Sequence, residues 1–570
     1  MSTEGYLTED ASKFATYKPL IDAYNKDSLD QVRAFDPKFY ESCVAAIPDA
    51  ATLDSEPIDA RKFLNLLSED EQRIVNDLTI SDLTSKQLAG ELTAEIIARA
   101  YIKSAIVAQL ATNCVMQFLI PEALSRAKEL DAYRETHQKL VGPLHGVPVS
   151  LKEQMNYKGK ATHASYVSYI NNIPENSAVS VDILHKLGAV FHARTAQPQA
   201  IMHLDTWNNI TGRTRNPCST RLSPGGSSGG ESAMVAMHGS VIGQGSDIGG
   251  SIRAPAAFAN LYGIRPTTRR ISLMNGLSGG KGQESIVAVQ GPLARSIDEL
   301  DLFMKSYINQ GKPWLYDPLC VPVPWREPEL PAKIKIGVLY QDNLVTPYPA
   351  ITRAMKETVA KLAESPDIEI IDLTPQWYSE EEMFDINFAI ESLYTCDGNK
   401  VQLGMFEPSG EPLLPLTRHF LNFGGGKELS IYDNRMLNAK RDALKTEMLQ
   451  KYFSKVDFIL SPTYLAPAEM PKQSLYWGYT SFWNLLDYPN VVFPTGISHS
   501  VDKDTEVPTL KANKYEKMVW LNPSDGSVKY DAQNYEGGPV ALQLTGKRFC
   551  DEDVVALTKK ISDILKVTRR

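Results

Sequence analysis

The apolar positions along this chain change period repeatedly, and the changes mark elements. From Thr93, TAEIIARAYIKSAIVAQL places Ile96, Ile97, Ala100, Tyr101 and Val107 on one helical face, and Thr93 suits the N-cap. GVPVSL is a short apolar strand that ends at Lys152. AVSVDILHKLGAVFHARTAQPQ reads as a helix, a glycine stop and a strand. KIKIGVLY, ITRAMKETVAKLAES and IEIIDL make a strand, helix, strand unit, which pairs its strands in parallel. VDFILSPTYLAPA is a buried strand with a polar end, GGPVALQLTGK a late strand, and DEDVVALTKKISDILK a terminal helix.

Strands alternating with helices over most of the length predict the α/β class, as one sandwich around a mixed sheet. Residues 1–80 carry polar, helix-like stretches such as SLDQVRAFDPKFYESCVAAI and predict a helical arm. The main body is then 81–570. After Arg270 the chain reads as loop-rich, and 310–450 is expected to be an insertion or cap over the site.

Composition narrows the function classes. Of 570 residues, 43% are hydrophobic and 22% charged, which is ordinary globular usage. The net charge is −9, and the basic runs are short, so no nucleic-acid partner is expected. Six scattered cysteines show no paired or metal-like spacing, so neither a disulfide framework nor a metal site is expected. The polar, acidic start lacks the apolar segment of a signal peptide, and no run of about 20 apolar residues occurs. A cytoplasmic protein with no membrane association is the expectation.

Residues 223–253 carry the chemistry: SPGGSSGGESAMVAMHGSVIGQGSDIGGSIR. Glycines this dense beside hydroxyls bring backbone close to a ligand. A serine nucleophile needs a base, usually histidine. The one nearby, His238, lies in a run that reads as helix. GGSSG matches the G-x-S-x-G elbow, but that elbow needs a strand directly before it, and RTRNPCSTRLSP is not one. GQGSDIGG lacks the third glycine of a dinucleotide loop and a clear preceding strand. The remaining base is Lys152. Alone it would read as a strand-terminal lysine facing solvent; the serine loop changes that reading.

GVPVSLKE, PGGSSGGE and DIGGSIRAPA, in this order and with Ser251 24 residues after Ser227, resemble the amidase signature family. RTAQPQAIMHLDTWNNITGRTRNP and the tail GGPVALQLTGKRFCDEDVV resemble its fungal acetamidase-like branch. The likeness covers roughly 60–310 and 470–565, with the catalytic motifs inside 130–310, and is thin elsewhere.

The resemblance implies an α/β/α sandwich with a central mixed, twisted sheet surrounded by helices, and a Ser–Ser–Lys triad. Ser251 would be the nucleophile, Ser227 the bridging serine and Lys152 the base, without metal or organic cofactor. It also implies a cis Gly226–Ser227 bond. A free lysine titrates at about 10.4, and burial lowers that value, so Lys152 is expected buried and hydrogen-bonded to Ser227. The backbone N–H groups of Ile248, Gly249, Gly250 and Ser251 are expected to hold the oxyanion. Ser228, Ser246 and Arg253 would support them; many members carry Thr where Ser246 stands. Asp247 can be the acid of a triad or a structural acceptor, and its place among the oxyanion donors favours the second.

Ile201 and Met202 align near the family's substrate-contacting position, and Trp207, Phe482 and Trp483 either narrow the pocket or belong to the core. The expected substrate is a small amide, with ethyl carbamate presenting the same carboxamide end. A fatty-acyl or aryl amide hydrolase is the alternative, as is an amidotransferase subunit active only in a complex. A homodimer is implied by analogy.

Overall fold

A computed structural model describes residues 8–567. The strands of its main sheet are β1 (Val115–Phe118), β2 (Pro148–Lys152), β3 (Val190–Thr195), β4 (Ile242–Asp247), β5 (Tyr262–Arg265), β6 (Val289–Ala294), β7 (Ile334–Val338), β8 (Ile368–Asp372), β9 (Phe458–Pro462), β10 (Asn490–Ser498) and β11 (Pro539–Thr545). They form one 11-stranded sheet in the order β1-β3-β2-β4-β6-β5-β10-β11-β9-β7-β8. β3-β2-β4 and β9-β7-β8 are parallel, and the remaining pairs are antiparallel. The sheet is mixed, as the alternation of elements implies.

The helices that matter below are α1 (Ala11–Phe35), α2 (Ala94–Thr112), α3 (Gly229–Ala236), α4 (Arg253–Phe258), α5 (Pro349–Ala363), α6 (Glu380–Tyr394) and α7 (Gly478–Leu486). β7, α5 and β8 form the expected parallel unit, with Ile336 opposite Ile370. Successive strand residues face opposite ways, and the core divides accordingly. Val149, Leu151, Val491 and Phe493 join one apolar layer, while Val492 and Ile459 join the other. In β2 this alternation turns Ser150 and Lys152 together onto the face away from Val149 and Leu151.

The structure corrects several expectations. On α2, Ile97, Ala100, Tyr101 and Val107 are buried, but Ile96 is 47% exposed, because its position in the first turn falls outside the buried face. α3 stops at Ala236, and His238 follows in a left-handed conformation with its Nδ1 against Asn76, remote from the serine loop's chemistry. IGQGSD is β4, a central strand between β2 and β6; its glycines and polar residues hid it from periodicity. The loop-rich region after Arg270 contains β6 and is followed by a short helix, Ile297–Lys305.

The stretch 310–450 supplies sheet strands β7 and β8 as well as helices. α1 packs on β1: Phe118 N–H donates to Ser28 Oγ at 2.9 Å, and Asn25 Nδ2 donates to the Ile210 carbonyl at 2.9 Å. No helix of the described residues is long and apolar enough to cross a membrane.

Candidate active site

Lys152 leaves the end of β2 into a fully buried position. Its Nζ donates to Ser227 Oγ at 2.6 Å and to Ser246 Oγ at 2.9 Å, and Ser246 Oγ donates onward to Gln154 Oε1 at 3.0 Å. Burial brings the Lys152 pKa down to about 7, against the opposing pull of Asp247 and Glu231. Ser227 and Ser251 are almost closed to solvent.

The serine loop is held by neighbours that tolerate no side chain. The Gly226–Ser227 peptide bond is cis. A Cβ on Gly226 would collide with the backbone of His203 and Asp205, so residues 203–205 lie directly against the loop. Ser228 N–H donates to the Ser251 carbonyl at 3.1 Å, which joins the two serine motifs. Ser228 Oγ accepts from Ser246 N–H at 3.2 Å and so ties the loop to β4.

Between β4 and α4 the chain turns through Ile248, Gly249, Gly250 and Ser251. Asp247 organises this turn. It accepts from Gly250 N–H at 2.8 Å, Ile252 N–H at 3.2 Å, Arg253 Nε at 3.0 Å and Asn484 Nδ2 at 2.8 Å. Burial pushes its carboxyl up, but the Arg253 guanidinium and these donors overcome that and hold it well below the usual range. Two further side chains fix the carbonyls: Tyr394 OH donates to Ile248 O and Thr480 Oγ1 to Gly249 O, each at 2.6 Å.

Gly250 therefore departs from its expected role. Its N–H is already bonded to Asp247, whereas the amides of Ile248, Gly249 and Ser251 have no acceptor within the described residues. Gly250 has φ +131, and a Cβ there would collide with Thr480. Asp247 faces backbone amides, Arg253 and Asn484 rather than an imidazole.

The segment of Ile201 and Met202 is unusual in its backbone. Ala200 and Ile201 both have positive φ, +61 and +62, rare for residues with a Cβ and rarest for a β-branched one. Gln199 pins them. Its Nε2 donates to Glu411 Oε2 at 2.7 Å, and its Oε1 accepts from Thr417 Oγ1 at 2.6 Å and Leu414 N–H at 2.9 Å. Ile201 is buried in an apolar cluster with Tyr394, Phe420 and Trp477; Met202, Ile248 and Leu277 pack against that cluster half-buried. Phe482 and Trp483 belong to the core, packed on Trp377, and Trp207 is half-buried beneath Lys472 Nζ.

The family model for Amidase matches residues 96–555. The chain belongs to the amidase family. The acetamidase of Emericella nidulans is 38% identical over 540 residues, covering 91% of this chain and 95% of the relative. The acetamidase of Aspergillus oryzae is 35% identical over 541 residues, covering 91% and 96%. A solved structure of a fatty acid amide hydrolase is 42% identical and covers 99% of this chain and 98% of that one, with a TM-score of 0.91. The protein is an amidase, with the α/β fold of that family.

Sequence reasoning missed several residues of this amidase's site. Thr480 and Asn484 lie four apart on α7 and face the turn together, a spacing visible only once α7 is known to cover it. Tyr394 comes from the stretch where the likeness is thin. Gln154 was within reach, two residues beyond Lys152, but nothing in its local pattern marks it.

Proposed function

We propose that the amidase hydrolyses small linear amides, primary carboxamides foremost, through a Ser251 acyl-enzyme. The observation that carries the reading is Lys152, buried, lowered to about 7 and 2.6 Å from the Ser227 hydroxyl. Neutral Lys152 takes a proton from Ser227 as Ser227 takes one from Ser251. Ser251 Oγ bonds to the carbonyl carbon, and the developing oxyanion is met by the free amides of Ile248, Gly249 and Ser251. The C–N bond breaks as the proton returns through Ser227 to the nitrogen, and ammonia leaves. Water then attacks the ester, the Oγ–C bond breaks, and Ser251 regains its proton. Ser228, Ser246, Asp247 and Arg253 hold this arrangement in place.

Ethyl carbamate presents the same carboxamide end and is expected to react. A longer acyl chain is the second reading, favoured by the likeness to a fatty acid amide hydrolase and by the apolar Ile201, Met202, Ile248 and Leu277, which join or pack on one apolar cluster. We take residues 310–450 to be in part a wall of this site, since Tyr394 and Glu411 come from them. The six free cysteines fit a cytoplasmic enzyme.

The test is ammonia release by the purified chain from acetamide, hexanamide, oleamide, benzamide and ethyl carbamate, beside Ser251→Ala. Release that Ser251→Ala abolishes supports the reading, and the ranking fixes the acyl group. A folded chain that releases nothing from any of them overturns autonomous amide hydrolysis in favour of action within a complex.

A further inference from the structure

Glu231 is a buried carboxyl that the relay above does not use. It lies in the first turn of α3, fully buried. Ser150 Oγ donates to its Oε2, and Thr195 Oγ1 donates to its Oε1 at 2.7 Å. A Cβ on Gly243 would collide with Oε2, so the absent side chain on β4 makes the room it occupies. The carboxyl is thus seated against β2, β3 and β4. Ser150 and Lys152 point to this same face, two residues apart, roughly 6.6 Å along the strand.

One hydroxyl donor on each oxygen suits an anion. Yet among the described residues no Lys or Arg nitrogen forms an ion pair with Glu231, and a lone buried anion is costly. The ionisable groups that face it are Lys152 on β2 and the Cys114 thiol just before β1, which burial pushes up to about 12 and keeps neutral. Lys152 also feels Asp247 on β4, more strongly than Glu231, but Asp247 is itself ion-paired with Arg253 on α4. Burial pushes the Glu231 carboxyl up to about 8 against the pull of Ser150, Thr195 and Lys152, and brings Lys152 down to about 7, so each resists its own charge unless the other supplies the opposite one.

We propose that Glu231 is a positioning residue for Lys152, its carboxylate supplying the negative charge against which Lys152 becomes an ammonium on taking the serine proton. This rests on the reading of Lys152 as the base. The proton passes from Ser251 to Ser227 to Lys152, and Glu231 neither gains nor loses one.

The test is the pH profile of kcat/KM for the full chain, for Glu231→Gln and for Ser150→Ala, with kcat and KM separated. A carboxylate nearby raises the proton affinity of Lys152. Its removal is therefore expected to move the acid limb down by about one pH unit while lowering the alkaline plateau of kcat and leaving KM nearly unchanged. Ser150→Ala takes one donor from the carboxylate and should move the limb the same way by less. If Glu231→Gln fails to fold, Ser150→Ala decides alone. A limb that stays in place while activity falls equally at every pH overturns the proposal and leaves Glu231 a packing group. A parent enzyme with no acid limb near neutrality overturns the base reading itself, and this proposal with it.

Discussion

Asp247 Oδ1 accepts the N–H of Gly250 at 2.8 Å, and this bond orients the turn that carries Ser251. One amide is drawn back toward the carboxylate. The Ile248 and Gly249 carbonyls are drawn off by Tyr394 and Thr480. What remains directed elsewhere is the set of unbonded amides at Ile248, Gly249 and Ser251. Preorganised donors of this kind stabilise developing charge without reorganising during the reaction.

Replacing Asp247 should therefore damage both folding and turnover. Asp247→Ala leaves the buried Arg253 charge without its carboxylate, with only the side-chain oxygens of Asn484, Asn490 and Gln543, a loss of about 3–5 kcal/mol in urea unfolding, with kcat falling by about 10²-fold or more. The sign with pH follows from the depressed carboxyl. The ion pair's contribution is fully present above the unfolded value of about 3.9 and is lost only as pH falls through the lower folded value. The stability gap between parent and variant should thus stay constant from pH 5 to pH 8. A gap that closes within that window would show that Asp247 is not held as a buried anion.

Lys152 gives the opposite sign. Its folded value, about 7, lies below the unfolded value of about 10.4, so between these pH values the unfolded chain binds a proton that the native state does not. Burying Lys152 therefore destabilises most below pH 7, and the penalty fades as pH rises toward 10. Lys152→Met should abolish turnover and yet raise the melting temperature at pH 7, with the gain shrinking by pH 9.5. In the parent, kcat/KM should rise with pH through about 7 as the base loses its proton. An inactive variant that melts below the parent at pH 7 would contradict a lysine held there against its charge.

Much of this site was legible because its chemistry is local in sequence. GVPVSLK shows an apolar strand ending on a lysine, and PGGSSGGE and DIGGSIR show hydroxyls among glycines. The mixed sheet followed from the alternation of strand and helix patterns. Two things were not legible, for physical reasons. β4 reads IGQGSD because a strand flanked by close-packed loops and by Glu231 needs glycines more than branched residues, and periodicity cannot see that. Tyr394, Thr480 and Asn484 act from helices more than 130 residues beyond the turn they fix, so only the fold reveals them.

Gly250 tests the turn from its own side. Its φ of +131 lies where residues with a Cβ are strained, and a Cβ would also meet Thr480. Gly250→Ala should reduce kcat by at least about tenfold with a smaller change in KM. Adding Thr480→Gly, which takes away the Cβ as well as the Oγ1, relieves the collision but not the dihedral, and it also removes the donor on the Gly249 carbonyl. The double variant should therefore recover stability, read by thermal melting, without recovering kcat. Recovery of both would mean that space alone, and not backbone conformation, requires glycine here.

The positive φ values at Ala200 and Ile201 persist only if the surroundings impose them. Gln199 is the means: its amide is bonded on both ends to residues 411–417. Glu411 in turn is fully buried, pushed up to about 7 by that burial, and accepts from Val167 N–H at 2.8 Å and Asn209 Nδ2 at 2.8 Å as well as from Gln199. Gln199→Leu strands these partners, at about 1–3 kcal/mol for each buried group left unsatisfied, and frees the Ile201–Met202 segment. On the proposed reading, in which Ile201 and Met202 line the substrate's side of the site, KM should rise several-fold while kcat changes less. The effect should grow with acyl length if Ile201 and Met202 contact the chain. Steady-state kinetics on acetamide and hexanamide measure both. Equal losses in kcat on the two amides, with KM unmoved, would place the segment outside the substrate's contacts.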